Sequence, residues 1–221
     1  MPHFYHNKSN FTITTNFKCG YTLLRLDGNL SKITAMAYHQ LIKDKYVNCK
    51  NYMICRNPYS RIESLFKDKF RSLPERNNIS QVFHYKMKNK LSIDLDSSEF
   101  KKFLLSVSFE QFVLDILPKI KNIDLHSRPQ FEALNHYYFA DFRLLKKLKI
   151  NRHNSNVRLF KMESDLDELS IITGISFKKK FNSTTKFNSE IYWNNEMLDK
   201  VYSLYKKDFN YFSYIRNNVK Y

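Results

Sequence analysis

Two short segments of this 221-residue chain place cations and hydroxyls where the handling of a phosphate or sulfate needs them. The first is Lys18-Cys19-Gly20-Tyr21-Thr22. It offers an ammonium group, a glycine free to take unusual backbone angles, a hydroxyl and a run of backbone N–H groups, which together make a phosphate cradle if a strand leads in and a helix leads out. The lysine precedes the glycine, so the G-x-x-x-x-G-K-[ST] spacing of a Walker A loop is absent. The second segment, Arg56-Asn57-Pro58-Tyr59-Ser60-Arg61-Ile62-Glu63-Ser64, puts an arginine at a strand end and a serine on the first turns of a following helix. That spacing suits a second phosphate. Taken alone, the first segment reads better as a surface turn with a solvated lysine, and the second as a structural ion pair with a solvent-facing serine.

The elements that would position these groups follow from hydrophobic periodicity. Phe11 to Phe17 is rich in Thr, Phe and Ile and reads as a strand, and Ile33, Met36, Ala37 and Leu41 recur at helical spacing. Asn51 to Cys55 is a short apolar run that stops at Arg56-Asn57-Pro58, after which Ile62, Leu65, Phe66 and Phe70 trace an amphipathic helix. A strand, loop, helix, strand, loop, helix order with a crossover of this length predicts two parallel neighbouring strands. Lys18 and Arg56 would then open on the same carboxyl edge, where open parallel sheets bind ligands.

Leu73 to Asp96 loses its pattern and is expected to be an irregular surface excursion. Ser108 with Gln111 three residues on is a capping box, opening a helix with Phe109, Phe112, Val113, Ile116 and Leu117 on its apolar face and Pro118 at its close. A further helix is expected over Phe131 to Leu148 and a strand over Asn156 to Met162. Ser164 and Asp167 mark a helix start, Gly174 its C-cap, and a last helix carries Leu198, Val201, Tyr202 and Tyr205. The fold class predicted is α/β, one domain over residues 1–221, with a central parallel sheet flanked by helices.

Lysine and arginine number 37 against 21 acidic residues, a formal charge of +16, so an anionic partner is expected, and charge alone does not choose among nucleic acid, a membrane surface, a nucleotide cofactor and an acidic glycan. With 43% apolar and 16% aromatic residues the chain is not a disordered polyelectrolyte. The richest apolar stretch, Phe103 to Leu117, is interrupted by Glu110, Gln111 and Asp115, which excludes a spanning helix there. Met1 to Asn10 has no apolar run and is not a secretory signal. Cys19, Cys49 and Cys55 lack the paired spacing of a zinc site and the density of a disulfide-held secreted domain, so a reducing compartment is the default.

Lys18-Cys19-Gly20-Tyr21-Thr22 resembles the 5′-phosphosulfate-binding loop of the sulfotransferases, and Arg56-Asn57-Pro58 with Arg61 and Ser64 resembles their 3′-phosphate-binding motif, in the family's order. Further segments are similar to the carbohydrate branch typified by chondroitin 4-O-sulfotransferase: Asp68-Lys69-Phe70, Ser108 to Phe112, and His126-Ser127-Arg128-Pro129-Gln130. So are Lys161-Met162-Glu163 with Asp165-Leu166, and Tyr205 to Tyr214. The resemblance spans roughly residues 11 to 215. The chain departs from the family pattern in Phe17, where a proline is common, in Tyr21, where a small residue is common, and in the short stretch between Lys18 and Arg56.

The resemblance implies in-line transfer of a sulfuryl group from 3′-phosphoadenosine 5′-phosphosulfate to a carbohydrate hydroxyl, through a loose transition state like that of phosphoryl transfer and with no metal. It implies that Lys18 stabilises the departing phosphate, that Cys19, Gly20, Tyr21, Thr22 and Leu23 hold the 5′-phosphate, and that Arg56 and Ser64 bind the 3′-phosphate. His126, in the His-x-Arg-Pro-Gln segment, is the first choice as base, His39 the second, and Glu163 or Glu110 could substitute. Arg128 and Gln130 are acceptor or donor contacts on the same basis, and Ser183 to Lys186 resembles a segment that reaches the donor's phosphate. The chain carries no amino-terminal anchor helix of the kind found in Golgi relatives, so a soluble cytoplasmic enzyme is expected. Two other readings remain at this level: a basic nucleic-acid-binding module, and a nucleotide kinase of related topology that lacks the Walker A spacing and a clear magnesium carboxylate.

Overall fold

The computed structural model describes residues 2–34, 37, 38, 41, 49–79, 81–134, 157–177 and 191–216. The chain forms two compact units, one from Met1–Arg56 with Gln130–Phe181, the other from Asn57–Pro129 with Asn182–Tyr221.

The first unit holds a five-stranded sheet in the order β3-β1-β2-β4-β5, with β1 His3–His6, β2 Phe11–Thr15, β3 Ser31–Ile33, β4 Lys50–Cys55 and β5 Val157–Lys161. The sheet is mixed: β2, β4 and β5 run parallel, while β1 is antiparallel to both β2 and β3. The predicted parallel pair is thus present, in a register that sets Thr15 beside Ile54 and Cys55 beside Lys161. All five residues of β2 are buried, as are the last five of β4, which is what strands covered on both faces require. Even the threonines are accommodated, Thr12 donating to Asn51 Oδ1 at 2.7 Å and Thr14 meeting His3 Nδ1 at 2.8 Å. Phe4, Phe11, Ile13, Leu24, Tyr52, Ile54, Phe160 and Leu169 make the core of this unit, with short helices Tyr21–Leu26 and Leu166–Thr173 against the strands. Gly174 closes the second of these in the left-handed conformation, as its position predicted.

One sequence expectation fails at its first residue, although Ala37 and Leu41 are helical. Ile33 ends β3 rather than opening a helix, because Ser31–Ile33 pairs with the otherwise open edge of β1. Neither β1 nor β3 carries the alternation that announces a strand; β1 is His-Phe-Tyr-His, and its histidines are buried by stacking His3 on Tyr38 and His6 on Phe11. Met36 and most of the predicted helix Phe131 to Leu148 lie outside the described residues.

The second unit is helical. The helix Pro58–Phe66 continues through a π-helical stretch Lys67–Ser72 into Leu73–Glu75, and is followed by Val82–Leu91, Ser97–Ser106, a run from Phe109 to Ile120, and Asn195–Tyr211. Its core is aromatic: Phe66 contacts Phe70, Phe109 and Phe112 with ring centroids 5.2 to 5.6 Å apart, and Tyr59 packs on Phe209 and Trp193. The Ser108–Gln111 capping box forms as predicted, and a second joins Asp96 to Glu99. Leu73 to Asp96 is not an irregular excursion. Val82–Leu91 is helical because Phe83, His84 and Met87 bury one side, a pattern diluted in the sequence by Lys86, Lys88 and Lys90. Pro118 does not end its helix either; it stands in the first turn of Leu117–Ile120, after a π-helical stretch Phe112–Ile116. No helix among the described residues is long and apolar enough to cross a membrane.

Candidate active site

At the carboxyl end of β2 the chain turns through Asn16-Phe17-Lys18-Cys19-Gly20 into the helix Tyr21–Leu26. Cys19 N–H donates to Asn16 O at 3.1 Å, Leu24 N–H to Gly20 O at 3.2 Å, and the Thr15 hydroxyl to Cys19 O. Gly20 has φ 81°, and a Cβ there would meet nothing closer than Ile54 Cδ1 at 3.8 Å, so backbone conformation rather than space calls for glycine. Lys18 also lies in the left-handed region at φ 69°. For a lysine that conformation costs about 1–2 kcal/mol and persists only if the surroundings enforce it.

The enforcing contact comes from the next strand. Arg56, immediately past β4, donates from Nη1 to the Lys18 carbonyl at 3.0 Å, which uses one of the guanidinium's five donors. Arg56 is itself gripped by the side chain of Gln130, which accepts from Arg56 N–H at 2.9 Å and donates to Arg56 O at 2.7 Å. The same Gln130 oxygen takes the Cys19 thiol at 3.0 Å. The lysine loop and the arginine that follows β4 are therefore one hydrogen-bonded assembly.

In the helical unit Asn57 caps Pro58–Phe66 by accepting from Tyr59 N–H at 2.9 Å, with Pro58 at the first helical position. Ser60 and Ser64, one turn apart, are half-buried on this helix, whereas Arg61 is only 1% exposed. Arg61 Nη2 donates to Leu125 O at 3.1 Å and to His126 O at 3.0 Å. It therefore pins the loop that carries His126. Tyr205 OH adds a bond to Ser127 O at 2.6 Å, and Ser127 Oγ one to Ile120 O at 2.7 Å. Within the loop Asp124 accepts from His126 N–H at 2.7 Å and faces His126 Nδ1 at 2.8 Å, while the ring lies edge-on to Phe83. Burial pushes the Asp124 carboxyl up, but its hydrogen bonds and charge interaction with His126 outweigh that and hold it below the ordinary value. A carboxylate on Nδ1 fixes the ring and leaves Nε2 as the proton-accepting nitrogen.

The model of the sulfotransferase family matches residues 5–215, a span that takes in both units, the lysine loop, Arg56 and the His126 loop. The chain belongs to the sulfotransferase family. Neither the curated proteins nor the solved structures compared with this sulfotransferase include a match.

Membership selects sulfuryl transfer over the nucleic-acid-binding and kinase readings. In this sulfotransferase Lys18, Cys19, Gly20, Arg56 and Gln130 come together, and Tyr21, Thr22 and Leu23 form the first turn of the helix leaving the loop. Gln130 is buried, and its amide engages backbone and thiol. Arg128 Nε donates to Asn122 O at 3.3 Å. Glu110 accepts from Asn194 Nδ2 at 2.7 Å. His39 and Ser183 to Lys186 lie outside the described residues. Among the described residues no group of three or more His, Cys, Asp and Glu side chains could hold a metal ion. Sequence reasoning missed Asp124, although the spacing Asp124-x-His126 was there to be found, and it missed the structural use of Arg61, for which the sequence holds no signal.

Proposed function

We propose that this sulfotransferase uses 3′-phosphoadenosine 5′-phosphosulfate as donor and a carbohydrate hydroxyl as acceptor, with residues 1–221 acting as one sulfotransferase domain. The acceptor oxygen attacks sulfur, the bond from sulfur to the 5′-phosphate oxygen breaks, and 3′-phosphoadenosine 5′-phosphate leaves. Lys18 neutralises charge growing on that oxygen, and the N–H groups from Gly20 to Leu23 with the Thr22 hydroxyl hold the 5′-phosphate. Arg56 and Ser64 bind the 3′-phosphate. His126, oriented by Asp124, takes the acceptor proton at Nε2, and Arg128 contacts the acceptor.

The observation that carries this reading is the bond from Arg56 to the Lys18 carbonyl, which couples two cations at matched strand ends, as a ligand with two separated phosphates requires. Calorimetry tests it. Two charge-assisted contacts to an extra phosphate should make 3′-phosphoadenosine 5′-phosphate bind at least about a hundredfold more tightly than AMP. Equal affinities would end the donor assignment. The acceptor follows from a glycan screen with labelled donor, in which sulfate appearing on non-carbohydrate alcohols alone would replace the carbohydrate reading.

A further inference from the structure

Four hydrogen bonds join the lysine loop, Arg56 and Gln130, and three of them pass through the Gln130 carboxamide. The orientation of that amide is set by its partners, since a backbone N–H can only donate and a backbone carbonyl can only accept. Beyond Cys55, β4 leaves its ladder with β5, so the peptide groups of Arg56 lack a strand partner. Gln130 supplies the missing pair from a side chain, and with its remaining lone pair takes the thiol of Cys19, the residue bonded to Lys18. The guanidinium of Arg56 returns to Lys18 O. A closed ring results, running from Lys18 to Cys19, through Gln130 to the Arg56 backbone, along the Arg56 side chain and back to Lys18.

We infer that Gln130 is a positioning residue, which fixes the separation of Lys18 from Arg56 and thereby the enzyme's selectivity for a nucleotide phosphorylated at both the 3′ and 5′ positions. The inference rests on the donor reading above. A nucleotide with one phosphate engages one loop and tolerates a shift of the other. A 3′,5′-bisphosphate has a fixed span and binds well only if both anchors are held in place before it arrives. The ring supplies that preorganisation, because a fully buried amide holds the backbone that carries Arg56 and, through the Cys19 thiol, the residue next to Lys18.

The test is calorimetry on the purified full-length protein, with 3′-phosphoadenosine 5′-phosphate and AMP as probes. The readout is the ratio of the two affinities. In Gln130→Met, close to Gln in shape but unable to make the three bonds, the ratio is expected to fall by about tenfold or more, with AMP affinity changed by less than about threefold. Cys19→Ala removes one bond of the ring and is expected to lower the ratio several-fold, and Cys19→Ser, whose hydroxyl can donate to the same oxygen, to restore it. A wild-type protein with no preference overturns the donor reading and this inference with it. A wild-type preference that both Gln130→Met and Cys19→Ala retain, whatever their Tm, overturns the inference alone and leaves Gln130 a structural residue. Should Gln130→Met not fold, the Cys19 pair decides on the same ratio, an unchanged value in Cys19→Ala being the negative result.

Discussion

The sheet unit and the helical unit hold their functional loops in different ways. In the sheet unit the loop after β2 is set by its immediate neighbours: Thr15 and Asn16 bond back to Cys19, Gly20 begins the helix, and the adjacent parallel strand delivers Arg56. In the helical unit the bonds within the His126 loop, from Asp124, Ser127 and Arg128, are supplemented from far away in sequence. Two distant ties come from Arg61, sixty-odd residues upstream, and from Tyr205, nearly eighty residues downstream of Ser127. A loop between a strand and a helix inherits its geometry from elements whose ends it joins. A loop among helices must be tied from outside, and buried polar side chains do the tying. Perturbing the first kind should act mainly through the ligand, whereas perturbing the second should act through positions far from the chemistry.

The largest effect that separates the two regions is on turnover. Removing a positioned base lowers the rate by about 10²- to 10⁴-fold, so His126→Ala should reduce turnover in that range while leaving affinity for 3′-phosphoadenosine 5′-phosphate within a few-fold. Asp124→Asn should show the same pattern, reduced to about tenfold or more, because the amide no longer favours the tautomer that carries its proton on Nδ1. Arg56→Ala should do the reverse, weakening nucleotide binding more than turnover at saturation. Single-turnover rates with donor saturating resolve these cases. If His126→Ala lost nucleotide affinity and kept its rate, the division of labour between the two regions would be wrong.

The same contrast explains what the sequence disclosed. Lys18, Gly20 and Arg56 were legible because short-range rules place them: a strand, a glycine turn and a parallel neighbour require only periodicity and the carboxyl-edge rule. The capping box at Ser108 and the Gly174 C-cap were legible for the same local reason. The strands β1 and β3 were not, since four and three residues without alternation owe their conformation to each other. Arg61 was read with the phosphate motif, and only the fold shows it directed at the Leu125 and His126 carbonyls. Gln130 was legible as a member of a family segment, but its partners are 74 and 111 residues away in sequence.

A smaller effect probes the external tying directly. Arg61→Met removes two charge-assisted bonds and leaves two carbonyls of the His126 loop unpartnered by it, a loss of about 1–3 kcal/mol in stability. Since the loop's position depends on those bonds, turnover should fall beyond what the unfolded fraction explains, with nucleotide affinity nearly unchanged. Urea unfolding and activity measured on the same preparation make the comparison. A variant that loses stability yet keeps full turnover per folded molecule would show that Asp124, Ser127 and Tyr205 hold the loop without Arg61.

The smallest effect concerns acid sensitivity, and it too belongs to the helical unit. His84 is fully buried in the helix Val82–Leu91 and lies with Nε2 2.8 Å from the Lys69 carbonyl, a bond the neutral ring makes as donor. Burial pulls its pKa below 6.5, and the nearby Lys69 ammonium acts in the same direction, while the hydrogen bond to Lys69 O and the Asp68 carboxylate oppose them without prevailing. Because the folded value lies below the unfolded one, the unfolded chain binds the proton more readily. The contribution of His84 to stability is therefore complete above about pH 6.5 and is lost as pH falls through the folded value. Asp124 acts in the same sense but at lower pH, since its carboxyl is held below 3.8 and its contribution begins to fade only beneath that value. The two windows are distinct, so Tm measured between pH 7 and pH 4.5 isolates the imidazole. His84→Gln, whose amide can still donate to Lys69 O but does not titrate, should flatten that part of the curve while leaving the fall below pH 4 in place. An unchanged slope between pH 7 and pH 4.5 would mean that the buried ring is not the acid-sensitive point of the helical unit.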